Sequence, residues 1–400
     1  MKSFSFVHVA DLHLGYAQYN LDVRREDFNR VFQEVVEKTT QLKPDFMIIA
    51  GDLFQQARPS NITLENAITN FKQLKDAGIP VLTVDGSHDS APNVITGTIL
   101  NPLDSAGLIH YLPRRKGAFW QNKNCYVYGV PNFRTKRRTE EQLPTFLGEN
   151  RPTPDPSLFN IFVFHMALDI PSLKPPQIEA EATPELLPDD FDYYAGGHVH
   201  SLHKMPFKNG ILAYSGCTET VSYEDASIKK GFFHVEVNAK GVPKLHRINL
   251  ETPRHFIILD HDYSGSTPAK ITEKAVESVR EADEDGAIII PVLRGVLPTS
   301  ATRGEVDLRK IRDAAEKALL VRPLIRLRET EVSEEIVRSI FEGELKDLKT
   351  KAFEYFFEVF RERYGHEEAE KMSKLAVNMI EPLVKKDEAK IKKELEGFVS

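Results

Sequence analysis

Five short segments of the sequence place aspartate or histidine residues directly after apolar runs. They are ADLHLG (Asp11, His13), AGDLF (Asp52), GSHDS (His88), FHMA (His165) and GGHVH (His198, His200). Carboxylate and imidazole groups together suit Mn²⁺, Fe²⁺ or Zn²⁺ as ligands. Two such ions a few ångströms apart can activate a water and hold the oxygens of a phosphoryl group. The series therefore predicts a two-metal hydrolytic site.

Each segment alone also has an ordinary structural interpretation. Asp52 could cap the helix that follows it, and a single histidine such as His165 at a strand end is more often structural than catalytic. Asp11 and His13 are two residues apart, as are His198 and His200, so each pair is expected to face one side of an extended segment. Five such segments in one chain, all at strand ends, favour the metal site over five separate accidents.

Secondary structure must bring these segments together. The runs FSFVHVA, PDFMIIAGD and IPVLTVDG predict buried strands, and helical patterns at 25–43 and 61–78 separate them. This alternation predicts a largely parallel α/β sheet. Strand-like runs at 159–165, 191–200, 210–216 and 231–238 predict a second, more antiparallel layer, while RTKRRTEEQ and GENRPTPDPS predict surface loops.

The chain is expected to contain three parts. Residues 1–252 carry the metal-type segments, residues 253–329 form a small α+β unit, and residues 330–400 are charged and helical. In the α+β unit, PAKITEKAVESVREA and EVDLRKIRDAAEKAL predict helices. In the last part, the side chains of Phe353, Phe356, Phe357 and Phe360 form one stripe at helical spacing.

The composition excludes several classes of protein. The net charge of −7 excludes a generally basic nucleic-acid coat, so contacts with a polyanion must come from local basic patches or metal ions. The start of the chain does not resemble a signal peptide, and no apolar run is long enough to cross a membrane. Two cysteines, Cys125 and Cys217, do not make a disulfide framework, so we expect a cytoplasmic protein without membrane contact.

The segments ADLHLG, AGDLF, GSHDS, FHMA and GGHVH resemble the motif series of the calcineurin-like metallophosphoesterases. That resemblance implies a two-layer β-sandwich flanked by helices, with two bound metal ions. HVADLHLGY, GDLFQQARPS and the appended parts resemble the archaeal and bacterial SbcD-type nuclease of double-strand-break repair, which acts with an ATPase. The protein-phosphatase branch carries Arg-Gly soon after its Gly-Asp, and Leu53-Phe54-Gln55 at that place argues against it.

The resemblance assigns a role to each site residue. Two divalent ions are implied, with Mn²⁺ favoured: Asp11, His13 and His200 for the first, His165 and His198 for the second, and Asp52 bridging both. His88 is implied as the group that contacts the scissile phosphate or protonates the leaving oxygen, with Asp89 as its support.

Two positions depart from the motif of the family. Ser87 stands where the family has an asparagine whose amide oxygen binds the second metal, and Gln55 stands where this nuclease branch usually has a histidine. Ser87 offers only a hydroxyl, and Gln55 cannot carry a proton. We therefore expect a weaker second metal and slower turnover, unless a neighbouring group or a water compensates.

Partners follow from basic clusters and from the resemblance. Candidate DNA contacts are Arg134, Lys136, Arg137 and Arg138 in one cluster, and Arg303, Arg309, Lys310 and Arg312 in the other. Each cluster alone also fits an ordinary solvated surface. The resemblance implies double-stranded and single-stranded DNA as substrates and a homodimer formed by residues 63–74 and 93–107. It also implies that the helical residues 330–400, with the phenylalanine stripe, bind an SMC-like coiled-coil ATPase.

Three functions remain open at this level. The first is a metal-dependent DNA exonuclease and endonuclease that processes DNA ends. The second is a catalytically weak scaffold that tethers DNA ends, which the departures at Ser87 and Gln55 would suit. The third is a small-substrate phosphodiesterase, against which the α+β unit and the long helical region count.

Overall fold

The computed structural model describes residues 2–91, 97–173, 179–299, 301–329, 345–384, 390–392 and 395. The chain divides into two compact units, Met1–His255 and Phe256–Ser400. Within the described residues, no helix is both long enough and apolar enough to cross a membrane.

Within its described residues, the first unit contains two six-stranded sheets. Its strands are β1 (Phe4–Val9), β2 (Phe46–Ala50), β3 (Val81–Val84), β4 (His110–Tyr111), β5 (Phe119–Gln121), β6 (Cys125–Gly129), β7 (Phe159–His165), β8 (Tyr193–Gly197), β9 (His203–Phe207), β10 (Gly210–Tyr214), β11 (Gly231–Val237) and β12 (Pro243–Asn249). The first sheet has the order β12-β11-β1-β2-β3-β4, and the second has the order β5-β6-β7-β8-β10-β9.

The second sheet is more parallel than the sequence suggested. Strands β6, β7, β8 and β10 run parallel, and only the edge strands β5 and β9 pair antiparallel. Strand β11, expected in the second layer, pairs antiparallel with β1 in the first sheet. The expectation of an antiparallel second layer was therefore wrong, because short apolar runs do not reveal which strand each will pair with.

Apolar side chains between the two sheets form a shared core. Phe6 and Ile48 of the first sheet and Val127, Ile161 and Ala195 of the second belong to one buried cluster. The structure is thus the expected two-layer β-sandwich, with helices covering its outer faces. Its helices are α1 (Asp22–Leu42), α2 (Asn61–Asp76), α3 (Leu100–Ser105) and α4 (Lys136–Glu149).

Helix α1 shows how the sequence builds the outer layer. Phe28, Val31, Phe32, Val35 and Val36 recur at helical spacing and are all buried. The helix ends at Leu42, and the next residue, Lys43, has a left-handed backbone conformation with a φ of 50°. Helix α1 thereby covers one face of the first sheet, and α2 packs beside it in the same apolar cluster.

Helix α4 occupies the segment that was expected to be a loop. The Thr135 hydroxyl accepts the backbone N–H of Arg138 and caps the helix, and Leu143 is buried on its inner face. Arg137 pairs with Glu141 one turn later at 2.9 Å. The charged composition of the segment belongs to the solvent face of a helix, not to a loop.

The second unit has a four-stranded parallel sheet and four helices within its described residues. Its elements are β13 (Phe256–Asp262), α5 (Pro268–Glu281), β14 (Ile288–Val296), α6 (Leu308–Arg312), β15 (Leu320–Val321), β16 (Leu324–Arg328), α7 (Leu345–Tyr364) and α8 (His366–Val384). Helix α6 is much shorter than expected, because the carboxylate of Asp283 binds the backbone N–H groups of Glu316, Lys317 and Ala318. The predicted helical residues 330–344 lie outside the described part of the chain.

Candidate metal centre

The candidate site lies at the carboxyl ends of β1, β2, β3, β7 and β8, where parallel sheets commonly hold their sites. Four of its residues have left-handed backbone conformations: Asp11 (φ 55°), His13 (φ 47°), Asp52 (φ 48°) and His198 (φ 85°). Non-glycine residues rarely adopt this conformation, and it concentrates at functional sites. The expected extended geometry of the Asp11–His13 and His198–His200 pairs is therefore wrong, since β1 ends at Val9 and β8 ends at Gly197.

Backbone hydrogen bonds join the loops that follow β1 and β2. The N–H groups of Leu12 and His13 both donate to the carbonyl of Asp52, each at 3.0 Å, and Leu14 donates to Leu53 at 2.9 Å. These bonds hold the turns that carry Asp11, His13 and Asp52 side by side. These backbone hydrogen bonds therefore stabilise the left-handed conformations of the turns.

The predicted ligand residues form two groups of three. In each group, one possible ligand atom from every residue lies within 4.8 Å of the others: Asp11, His13 and His200 in the first group, and Asp52, His165 and His198 in the second. The two residues of GGHVH thus belong to different groups.

Asp52 lies between the two groups. Its Oδ2 atom is 3.1 Å from Nε2 of His165 and 3.9 Å from Nε2 of His13. Nε2 of His165 is also 4.0 Å from Oδ1 of Asp11. The arrangement suits a carboxylate that bridges two ions, although its role as a ligand stays a prediction.

The chemistry of these side chains fits bound cations. Both ring nitrogens of His13 are buried without a hydrogen-bond partner among the described residues, which is costly unless another group binds them. Burial lowers the pKa of His13 and of His198 to about 3, so both rings are neutral, the form in which imidazole binds metal. Burial opposes charge on His165, but the carboxylate of Asp52 raises its pKa to about 10. Asp52 thus favours a positive charge beside it.

The loop after β3 brings the GSHDS segment to Asp52. The N–H of His88 donates to Oδ1 of Asp52 at 2.9 Å, and the hydroxyl of Ser87 donates to Oδ2 at 3.3 Å. A side chain at Gly86 would place its Cβ only 2.1 Å from Oδ1 of Asp52, so glycine is required for this approach. Ser87 therefore contacts the proposed bridging carboxylate, and its role as a ligand of the second ion stays a prediction.

His88 is oriented by a backbone carbonyl. Its Nδ1 atom is 3.1 Å from the carbonyl oxygen of Gln55, and its ring lies 4.9 Å from that of His13. His88 is exposed, whereas the ligand candidates are buried or, for His198 and His200, half-buried. The side-chain oxygen of Gln55 is buried without a hydrogen-bond partner in the described part of the chain. Gln55 also lines a cavity of about 310 Å³ that includes Tyr16 and Arg25.

The carboxylate of Asp89 joins the loops that follow β2 and β3. Its carboxylate accepts the N–H groups of Leu53 and Gly86, each at 2.7 Å, and of Phe54 at 3.2 Å. Burial and the nearby charge of Asp52 raise the pKa of Asp89 to about 7. Asp89 thus fixes the turn that carries His88, and its supporting role for that residue stays a prediction.

The predicted DNA contacts of the first unit divide into two kinds. The guanidinium of Arg134 donates to the hydroxyl of Ser90 at 2.6 Å and to its carbonyl at 2.9 Å, so this side chain is committed to the loop beside the site. Arg134 is also exposed, and its role in binding DNA stays a prediction. The other three, Lys136, Arg137 and Arg138, are exposed on the first turn of α4.

The predicted DNA contacts of the second unit are all exposed on its surface. Arg303 lies 3.7 Å from Glu329, and Lys310 lies 3.7 Å from Asp307. Arg309 and Arg312 are also exposed, on α6. Their role in binding DNA stays a prediction.

Sequence reasoning missed the residues that orient the ligand histidines. Asp225 lies 3.0 Å from Nδ1 of His200, Glu181 lies 3.6 Å from Nε2 of His198, and Asn132 donates to the carbonyl of His165 at 2.6 Å. For Asp225 a local signal exists, since Ser222-x-x-Asp225 forms a capping box. For Glu181 and Asn132 the sequence holds no comparable signal, because their contacts depend on the tertiary fold.

The chain is similar to a family of known proteins and to several of its relatives. The family model described as calcineurin-like phosphoesterase matches residues 4–202. The chain is 29% identical over 371 residues to the DNA double-strand break repair protein Mre11 of Archaeoglobus fulgidus, covering 85% of this chain and 76% of that protein. It is 31% identical over 269 residues to the protein of the same name from Methanocaldococcus jannaschii, covering 63% and 68%. The solved structure of TT1561 from Thermus thermophilus is 14% identical, with a TM-score of 0.41, and covers 62% of this chain and 100% of that one.

Proposed function

The chain belongs to the calcineurin-like phosphoesterase family, among the homologues of archaeal Mre11, and from this premise we propose that it is a metal-dependent DNA nuclease of double-strand-break repair. It is a hydrolase that acts on phosphodiester bonds. The observation that carries the proposal is the position of Asp52 between two groups of carboxylate and histidine side chains.

The two groups explain how the chain can hydrolyse a phosphodiester. Divalent ions held there would activate a water and neutralise charge on the phosphoryl oxygens. The left-handed turns, and the backbone hydrogen bonds from Leu12 and His13 to Asp52, fix the ligand side chains on these turns before substrate binds. Such preorganisation avoids rearrangement during the reaction.

His88 is proposed to act on the substrate. The carbonyl of Gln55 binds its Nδ1, which leaves Nε2 for the scissile phosphate or for the leaving oxygen. Histidine is a common general acid, and His88 is proposed to give a proton to the leaving oxygen as its bond to phosphorus breaks. Its exposure suits contact with a polymeric substrate.

Several finer features are part of the proposal. Mn²⁺ is the proposed ion, because mixed carboxylate and imidazole ligands suit it. Double-stranded and single-stranded DNA are the proposed substrates, and both exonuclease and endonuclease activity are proposed. A homodimer through residues 63–74 and 93–107, which include most of α2 and all of α3, is also proposed. Residues 93–96 of the second dimer segment lie outside the described residues.

An SMC-like coiled-coil ATPase is the proposed partner of α7 and α8. Phe353 stacks on Phe357 with ring centroids 5.9 Å apart, and Phe356 stacks on Phe360 at 6.1 Å. All four rings are only partly buried. An aromatic stripe of this kind can bind a partner helix.

The two other functions are not favoured. A scaffold that only tethers DNA ends would not require all six ligand residues of the two groups to be present and gathered. A phosphodiesterase for small substrates would need neither the second unit nor its helices. The relatives are named for repair of DNA double-strand breaks, which supports the nuclease.

A cleavage assay tests the proposal. Linear duplex DNA, single-stranded DNA and bis-p-nitrophenyl phosphate are incubated with the full chain and Mn²⁺, and with a chelator as reference. We expect cleavage of DNA that Asp52→Asn lowers by about two orders of magnitude or more. The control is Asp76→Asn, which changes an exposed aspartate at the end of α2. Absence of DNA cleavage by the unchanged chain, or full activity of Asp52→Asn, would contradict the proposal.

A further inference from the structure

The carboxylate of Asp225 holds one ring nitrogen of His200. Nδ1 of His200 is 3.0 Å from Oδ2 of Asp225, whose side chain is 7% exposed. The other nitrogen, Nε2, is thereby left to join Asp11 and His13 in the first group. A carboxylate on the outer nitrogen of a ligand histidine fixes the orientation and the tautomer of the ring.

Asp225 itself is fixed by the chain just before it. Its Oδ2 atom also accepts the N–H of Ser222 at 2.8 Å and that of Val221 at 3.2 Å. The side chain of Ser222 completes a capping box with Asp225. The position of the carboxylate therefore depends on the position of residues 217–222, which we call the 217–222 segment.

A buried arginine holds the 217–222 segment from its other side. The side chain of Arg24 is 0% exposed, and its Nη2 lies 3.1 Å from the carbonyl of Thr220 and 3.2 Å from the carboxylate of Glu219. Gln18 accepts from Nε of Arg24 at 3.0 Å and donates to the carbonyl of Val221 at 2.7 Å. Arg24 thus binds the segment directly and through Gln18.

The charge of Arg24 is balanced inside the protein. Its Nη1 is 2.6 Å from the buried carboxylate of Asp27, which also lies 2.6 Å from Nη2 of Arg254. Glu219 accepts the backbone N–H of Arg254 at 2.9 Å. Displacing one of these groups removes a partner from a buried charge, which is destabilising, so the Arg24 network (Arg24, Asp27, Glu219 and Arg254) favours one arrangement.

We propose that Asp225 is a positioning residue for the first metal group, and that the Arg24 network sets its place. The affinity of the first ion then depends on a charge cluster buried behind the site. The inference rests on the proposed function for the presence of the ion, and it adds residues that do not touch the ion or the substrate.

Calorimetric titration of the full chain with Mn²⁺ tests this inference. We expect Asp225→Asn to weaken one of two binding events by about 10- to 100-fold and to leave the other unchanged. The variant His198→Ala, which removes a residue of the second group, identifies the event that belongs to that group. Asp225→Glu keeps the carboxylate and is expected to bind more tightly than Asp225→Asn.

A matched control is available on the surface of the same unit. Glu236 lies 3.0 Å from Nε2 of His246, so Glu236→Gln removes a carboxylate–histidine contact of the same length that involves none of the ligand residues. It should leave both binding events unchanged. A second arm uses Glu219→Gln, an isosteric change in the Arg24 network, and is expected to weaken the same event as Asp225→Asn by a smaller factor. Circular dichroism in chelator establishes that each variant is folded.

The outcomes separate this inference from the proposed function. If the unchanged chain binds two ions and Asp225→Asn binds them equally well, the inference is overturned and the proposed function stands. If Asp225→Asn weakens the first event but Glu219→Gln does not, the part assigned to the Arg24 network is overturned. If the unchanged chain binds no ion, both the proposed function and the inference fail.

Discussion

Replacement of Ser87 by asparagine is expected to tighten binding of the second ion. The hydroxyl of Ser87 lies 3.3 Å from Oδ2 of Asp52, which is long for a hydrogen bond, so its loss costs at most about 1 kcal/mol. An amide oxygen reaches one atom further and adds a ligand, which we take to be comparable to a hydrogen bond to a charged group, about 1.5–3 kcal/mol. The net gain is about 1 kcal/mol, or roughly fivefold in affinity.

Calorimetry with Mn²⁺ on three chains measures this effect. The unchanged chain, Ser87→Asn and Ser87→Ala are compared, and Ser87→Ala separates the loss of the hydroxyl from the gain of the amide. The weaker binding event should tighten in Ser87→Asn and stay the same or weaken in Ser87→Ala. If Ser87→Asn binds no more tightly than Ser87→Ala, the reasoning about the missing ligand is refuted.

Three further predictions concern the surroundings of the site. In chelator, the free energy of unfolding should fall between pH 7 and 9, because the pKa of His165 is about 10 in the folded protein and lower in the unfolded chain. The stability that the His165 proton provides below pH 6.5 is therefore lost as the pH rises. Urea unfolding at each pH measures this loss, and a flat profile contradicts it. Gly51→Ala should destabilise the fold more than Gly78→Ala. Both glycines have a positive φ, but only a Cβ at Gly51 would meet the His165 ring, at 2.4 Å. Equal decreases in the free energy of unfolding, measured in urea, would rule out this contact as the cause. Arg134→Gln should speed hydrogen exchange in the loop after β3, because it removes the hydrogen bonds from Arg134 to Ser90, whereas the exposed Arg137→Gln should not. Equal exchange in both variants would show that these bonds do not hold the loop.

The sequence identifies the residues of the site better than it predicts the geometry around them. The order of Asp11, Asp52 and His165 along alternating strands predicted that they meet, because the carboxyl ends of parallel strands share one edge. The left-handed turns at Asp11 and His198 could not be predicted, since residue type does not reveal a positive φ at a non-glycine position. The orientation of His200 by Asp225 also requires knowledge of the tertiary fold.

The fold was predicted well where one element's own pattern decides its structure. Helix α1 follows from the spacing of its buried apolar residues, and β1 to β3 follow from their apolar runs. Pairing across the sandwich was predicted poorly, as for β11, because it depends on distant partners. Helix α4 was missed because its first half is charged and polar, and its apolar residues Leu143, Phe146 and Leu147 lie only in its second half. Helix α6 was overestimated because Asp283 binds the chain beyond it.

The most direct test of the two-metal site is diffraction from crystals grown with Mn²⁺, collected at the manganese absorption edge. We predict two anomalous peaks, about 3.5–4 Å apart, on either side of the Asp52 carboxylate. One peak should contact Asp11, His13 and His200, and the other should contact His165 and His198. A single peak, or a peak held by His200, Cys217 and Asp225 instead, would contradict the two-metal site.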